Sequence, residues 1–355
     1  MSSAFSKSLK RWILRQPEPS HSGFTLLEVL IAAAIGSIII SSLLWLLVNL
    51  ISSERRESAL SATEQDMKRA LDYIVADLKQ AVYVYDGSCQ TLGTTNVCPP
   101  YYYDSTTTRF LPSWVADPNV YPVLAFWKTD DVNVDSLGSC STYTGALSFE
   151  CVDIKKRRYV YSLVVYAQNQ SPSSTWSGET TIQRFELTRY DNLATLTPNV
   201  GYVDPAIAGS SVFSTWPFIR LAGAGCNLQN ITTTSSTTGC NTSISGALPA
   251  TYAGAVDGNK VQNQVLTDFV DARLPTDLGD PTCPTGYRLS PQASGVATSR
   301  TFYACIRSAT AVGQNQDVAI FLRGDAKGRS GVIQDTNTAV LQTRVSIRGV
   351  LDKSP

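Results

Sequence analysis

Two hydrophobic patterns follow one another near the start of the chain. From Val29 to Ile51 no residue is charged. A helix from Phe24 to Ile51 would be about 42 Å long, more than the roughly 30 Å hydrocarbon core of a bilayer. Residues 54–82 then change character without a Gly or Pro. Leu60, Met67, Leu71, Ile74, Val75, Leu78 and Val82 recur at helical spacing, while Glu54, Arg55, Glu64, Asp66, Lys68, Asp72 and Lys79 take the other face. The pattern predicts one helix of about 59 residues, about 88 Å long, with an apolar half (24–51) and an amphipathic half (52–85). The apolar stripe of the second half needs a surface to bury it, which the rest of the chain must supply. Gly87 closes the helical region.

Beyond it the period changes. Residues 87–120 read as a Cys-, Thr- and Pro-rich connector containing Tyr101-Tyr102-Tyr103. Runs rich in β-branched and aromatic residues follow at 121–128, 158–167, 180–189, 301–307, 317–323 and 338–350. The second and third of these read as a hairpin with a long Ser/Gly loop. Residues 222–260 are poor in apolar residues and read as loop, and Val261 to Leu274 suits a strand or a short helix. The predicted class is α+β: a long N-terminal helix packed on an antiparallel β-sheet head, residues 86–355, with long disulfide-bonded loops.

Composition adds three constraints to that pattern. Charged residues are 16% of the 355 positions, against a usual figure of about a quarter. The formal net charge is zero, so no basic field points to nucleic acid. Lys7, Lys10, Arg11 and Arg15 outnumber Glu18 ahead of the apolar run, which keeps that end cytoplasmic and sends the C-terminal side across the membrane. Eight cysteines, Cys89, Cys98, Cys140, Cys151, Cys226, Cys240, Cys283 and Cys305, all follow the apolar run. An even count on the exported side suggests disulfides. Eight cysteines allow roughly a hundred connectivities. Neighbour pairing, 89–98, 140–151, 226–240 and 283–305, has short loops and is the expectation.

The junction carries the chemistry. Gly23-Phe24-Thr25-Leu26-Leu27-Glu28 places one carboxylate at the start of the uncharged run. Deep in lipid such a group costs on the order of 2.5–3.5 kcal/mol, so an acid there is usually functional. Gly, Phe, a Glu four residues after Phe, and the apolar run resemble the prepilin signature of type IV pilins and type II secretion pseudopilins. That resemblance implies cleavage between Gly23 and Phe24 by a prepilin peptidase, N-methylation of the Phe24 amine, and a role for Glu28 in filament assembly. Residues 1–23 are then a leader. The run Met67 to Ile74, then Asp77-Leu78-Lys79-Gln80-Ala81, resembles minor pilins of the J/W type, and Val265 to Val270 looks like the segment before their last strands. Glu54 to Glu57 through Tyr83 to Asp86, together with Pro122 to Lys128, is similar to a cyanobacterial branch, the hormogonium polysaccharide secretion pseudopilins of the C type. The strong resemblance covers about residues 23–86.

Other constellations are weaker. The single histidine is His21, inside the leader, which removes imidazole-based nucleophile and zinc systems from the mature chain. Gly324-Asp325-Ala326-Lys327-Gly328-Arg329-Ser330 lacks phosphate-loop spacing and reads as a polar hairpin tip. Asp131, Asn133 and Asp135 have the spacing of the first calcium-loop ligands, but Ser136 and Thr142 replace the required Gly and Glu. Asp268, Asp271, Asp277 and Asp280 read as solvated loop charges. Lys155-Lys156-Arg157-Arg158 reads as the solvated start of a strand, with contact to an anionic polymer or acidic partner as the sharper alternative.

The expectation is therefore a non-catalytic pseudopilin or minor pilin with no cofactor and no metal. It is anchored once in the inner membrane with its head on the periplasmic side, and it serves polysaccharide secretion and gliding motility. Its expected partners are the prepilin peptidase, other pilins or pseudopilins, an inner-membrane assembly platform and the secreted polysaccharide. A pilin-stemmed adhesin or polysaccharide-binding protein is the alternative, motivated by the aromatic connector and the large head.

Overall fold

A computed structural model describes residues 23–87, 90–92, 95–97, 120–170, 175–199, 202, 204, 205, 213, 264–273, 278, 281–291, 301–307, 315–330, 332 and 338–347. The chain divides into two compact units at Glu54/Arg55. Helix α1, Leu26–Leu78, is continuous over 53 residues. It starts where Thr25 caps it: the Glu28 amide donates to the Thr25 carbonyl (3.0 Å) and to its Oγ1 (3.3 Å). Thr25 followed three residues later by Glu28 is the spacing of a capping box. Through Glu54 no described residue of the first unit is buried.

In the second unit α1 buries Ala59, Thr63, Met67, Ala70, Leu71, Ile74, Asp77 and Leu78, which lie on one face of the helix. The helix ends at Leu78, short of the expected Val82. Residues Ala81–Val84 form strand β1, paired with β4, Val120–Asp131. Tertiary pairing overrides the helical reading here, because Ala-Val-Tyr-Val is good strand sequence and an open partner lies beside it. Gly87 does not end the helix. It sits at φ 70°, and a Cβ there would lie 2.6 Å from the Leu289 carbonyl oxygen. Only glycine allows that approach of two backbones.

The remaining strands are β2 (Gln90–Leu92), β3 (Thr95–Val97), β5 (Tyr159–Asn169), β6 (Thr180–Leu187), β7 (Tyr190–Asn192), β8 (Thr197–Pro198), β9 (Gln264–Val270), β10 (Tyr287–Ser290), β11 (Phe302–Arg307), β12 (Gln316–Asp325) and β13 (Thr338–Ile347). Nine of the thirteen described strands make one antiparallel sheet in the order β1-β4-β5-β6-β9-β12-β11-β10, with β13 on β12. The expected β5–β6 hairpin is present. Val261 to Leu274 contains strand β9. One face of the sheet takes the α1 stripe: Met67, Leu71, Ile74 and Leu78 pack with Phe126, Tyr166, Ile320 and Val345. The other face of β4, β5 and β6 is also buried, with Trp127, Tyr161 and Phe185 packed against Tyr202 and Phe213. Burial on both faces explains why these strands read as nearly continuous apolar runs.

A second helix, α2 (Ala146–Arg157), lies where no element was expected. Lys155, Lys156 and Arg157 form its last turn and Arg158 its left-handed cap, so the basic run ends a helix rather than beginning a strand. Cations there oppose the negative end of the helix dipole. Lys155 also donates to the Gly138 carbonyl (2.9 Å), and Arg157 pairs with Asp153.

Disulfides join Cys140 to Cys151 and Cys283 to Cys305, two of the neighbour pairs; Cys89, Cys98, Cys226 and Cys240 lie outside the described residues. The first spans 11 residues and staples α2; the second spans 22 and ties the segment before β10 to β11. Cys151 and Cys305 are both buried. Doubling a closed loop adds about 0.6 kcal/mol of chain entropy. Replacing Cys283 and Cys305 by serine is thus expected to destabilise by about 0.6 kcal/mol more than replacing Cys140 and Cys151. Denaturant unfolding of the two double variants checks this.

Candidate functional site

The residues singled out at the junction stand within six consecutive positions, Gly23 to Glu28, at the start of α1. Gly23 precedes the helix, with no atom within 4 Å of the position its Cβ would take. Phe24 is 80% exposed. Glu28 is the acid of the first turn. A carboxylate there faces the positive end of the helix dipole. Among the described residues nothing packs on Gly23, and the helix that follows is capped by Thr25. Downstream, Ile31, Ile35, Ile38, Leu43, Leu46 and Leu50 are all exposed. An apolar surface of that length is matched to lipid or to other apolar helices, not to water.

A second constellation holds α1 to the sheet. Asp77 on α1 accepts from the Tyr166 hydroxyl (2.6 Å) and from Arg184 Nε (2.7 Å). Arg184 also bonds Glu186 (2.7 Å); Lys128 bonds Glu186 and Asp130 (2.9 Å each) and stands 3.9 Å from Asp77. Three carboxylates thus face two cations. Burial pulls Lys128 down, but its hydrogen bonds and charge contacts with Glu186 and Asp130 outweigh that and leave it raised. Burial pushes Glu186 up, and the bonds from Lys128 and Arg184 reverse this to a lowered value. Asp130, the acid in excess, is raised by burial despite bonds from Ser162 and Lys128. Burial and the Asp77 charge raise Tyr166, which stays a donor.

None of these roles was read from the sequence. One clue was available: Asp77 falls on the buried stripe between Ile74 and Leu78, where an ionised group needs a partner.

A third contact grips the helix lower down. The Gly324–Ser330 segment ends β12 and begins its hairpin connection to β13, and it is also pressed on α1. A Cβ at Gly324 would meet Thr63 Cγ2 at 2.8 Å and Met67 Cγ at 3.0 Å. Arg329 pairs with Asp66 and lies 4.1 Å over the Phe269 ring. Ala59, Ala326 and Val332 pack together beside it.

The remaining candidates have structural partners. Asn133 spends its carboxamide oxygen on the Asp135 amide (3.0 Å), capping a single helical turn. Asp271 is not a solvated loop charge: it is fully buried between Arg273 and Arg323. Asp277, Asp280 and Tyr101–Tyr103 lie outside the described residues. Among the described residues no group of three or more His, Cys, Asp or Glu side chains is arranged to hold a metal.

A family model described as the prokaryotic N-terminal methylation motif matches residues 19–44. No curated protein and no solved structure matches the chain. The motif supports a type IV pilin-like family and a pilin- or pseudopilin-type subunit, and proteins carrying it are structural rather than catalytic. It implies a prepilin peptidase substrate that assembles into pilin-type filaments. The long exposed apolar helix is consistent with membrane anchoring.

Proposed function

We propose that the chain is a pseudopilin or minor pilin, cut between Gly23 and Phe24 and methylated on the new amine. Its α1 helix first anchors it in the inner membrane, with the sheet unit on the periplasmic side, and then enters a filament core. The observation that carries this reading is a capped, exposed apolar helix directly after Gly23 and Phe24, whose first turn holds Glu28. Transfer from lipid to filament exchanges one apolar environment for another, with little net hydrophobic gain. Direction and register must then come from polar pairing, and Glu28 is the ionisable group available in the apolar half. Cleavage creates its natural partner, the positively charged amine of Phe24 on a neighbouring subunit.

The sequence resemblance narrows the reading to a J/W-type subunit of a polysaccharide-secreting, motility-linked machine. An inner-membrane assembly platform and the secreted polymer are further partners. The account requires no cofactor and no nucleic acid. Replacing Gly23 by a bulky residue is expected to leave the full-length form in the membrane, read by immunoblot of membrane fractions. Normal shortening of that variant would contradict the assigned junction.

A further inference from the structure

Among the described residues, strand β13 pairs with β12 alone. It pairs with β12 through ten consecutive partners, from Thr338↔Asp325 to Ile347↔Gln316, without a register shift. Among the described residues no backbone hydrogen bond outside that ladder reaches residues 338–347. In an antiparallel pair alternate residues turn their N–H and C=O groups away from the partner. Among the described residues, half of this strand's backbone groups thus have no ladder partner.

Natural sheets blunt such edges with short strands, Pro, Lys or bulges. The other margins of this sheet follow that rule. β1 is four residues long, and the Gln316 side chain occupies it, accepting from the Val84 amide (2.8 Å) and donating to the Val84 carbonyl (2.7 Å). β10 is also four residues long. β13 has ten residues, no Pro, no Lys and no Gly, and its one charge is Arg344.

We infer that the outer edge of β13 receives an extended strand from a different polypeptide of the assembly, a strand carrying an acidic residue opposite Arg344. This rests on the reading of the chain as one subunit of a multi-chain filament.

The β13 edge of a second copy is excluded by direction, and its short margins β1 (Ala81–Val84) and β10 (Tyr287–Ser290) carry no acidic residue. Gly324, near the end of β12, lies against Thr63 and Met67, while Gln316 at its start bonds Val84, six residues past the end of α1. The second half of α1 therefore runs antiparallel to β12 and parallel to β13. Antiparallel pairing of two β13 edges needs a two-fold axis through the sheet, which reverses one α1 relative to the other. Neither one bilayer nor one polar filament holds two such helices. Parallel pairing about an axis along the strand turns one sheet over. It sets the exposed Gln342 and Arg344 row of one copy beside the Leu341 and Val345 row of the other.

The charge of the added strand follows from the exposed face. Arg344 donates to Asp317 and to the Tyr287 hydroxyl, and Arg307 reaches the same hydroxyl (3.2 Å). Two guanidiniums thus stand near one carboxylate, and the Arg344 side chain is 62% exposed. An incoming acid compensates the excess, and cross-strand pairs of opposite charge favour the register that provides it.

The test uses the full-length protein, once alone in detergent and once in filaments sheared from cells. Hydrogen exchange should find the outward amides of β13 unprotected in the isolated chain and protected in the filament. Gln342→Pro and Thr343→Pro supply the genetic arm. At adjacent positions one proline removes an N–H aimed at β12 and the other an outward N–H. The variant that keeps the wild-type unfolding midpoint should enter filaments ~10-fold less well, one unmade backbone bond in a buried interface.

Wild-type incorporation of that variant, or equal exchange in both states, overturns the inference. So does protection that appears in the purified chain alone as its concentration rises. If Glu28→Ala blocks assembly while the folded proline variant does not, the filament reading stands and the edge inference fails.

Discussion

Asp77→Ala is expected to destabilise the sheet unit by about 3–5 kcal/mol, the range for breaking one side of a buried ion pair. The carboxylate is the shared acceptor of the Tyr166 hydroxyl and Arg184 Nε. Removing it leaves a buried phenol without an acceptor and weakens the compensation of Arg184, which keeps only Glu186. Asp77→Asn retains an oxygen for Tyr166 and removes the charge, so it should fall between alanine and wild type. Lys79→Ala, at an exposed position two residues on, should stay within about 0.5 kcal/mol. Denaturant unfolding of the three variants decides it, and equal midpoints for Asp77→Ala and Lys79→Ala would show that the cluster does not hold the helix.

The same cluster sets a pH dependence. Glu186 is lowered from 4.5 in the fold. Its contribution is fully present above about that pH and is lost as pH falls through the folded value. Asp130 is raised from 3.8, so its contribution is present at lower pH and lost as pH rises through its folded value. The two oppose one another below about pH 4.5. The unit should lose stability there with a shallower slope than Glu186 alone would give, and Glu186→Gln should flatten the acid limb further.

Glu28→Ala is expected to give the largest functional effect. The helix start is held by Thr25, so insertion and cleavage should proceed normally. Within one subunit an i, i+4 pair between the Phe24 amine and Glu28 contributes only a few tenths of a kcal/mol if exposed. In a dry filament core, however, a charge left without its partner costs about 3–5 kcal/mol. That corresponds to roughly a hundredfold or greater loss of incorporation at each addition. Glu28→Asp keeps the charge and shortens its reach, so it should be intermediate. The comparison is processed protein in membranes against protein in sheared filaments. Normal incorporation of Glu28→Ala would remove the carboxylate from the assembly mechanism.

Where a residue pattern was local and repeated, the sequence alone was legible. The helix through Leu78 follows from a 3.6-residue stripe, and strands β4, β5, β6, β11, β12 and β13 follow from dense β-branched and aromatic runs. The methylation motif was legible because glycine, an aromatic, an acid and an apolar run stand at fixed spacing. What escaped depended on distant partners. Val82 was read as helical because the stripe continues through it, whereas β4 claims it for the sheet. Lys155 to Arg158 were read as solvated charges because the helix they terminate is short and starts at Gly145 without a side-chain cap to mark it. Asp271 was read as a loop acid because Arg323, which buries it, lies 52 positions away. Asp77, Lys128, Arg184 and Glu186 come from four separate positions on α1, β4 and β6, and no local spacing joins them.

The central claim is that Phe24 begins the working protein. Intact-mass analysis of the membrane-extracted chain tests it most directly. The account expects a mass lacking residues 1–23, with one added methyl group on the Phe24 amine. A full-length mass, or an N-terminus beyond residue 45, would contradict it.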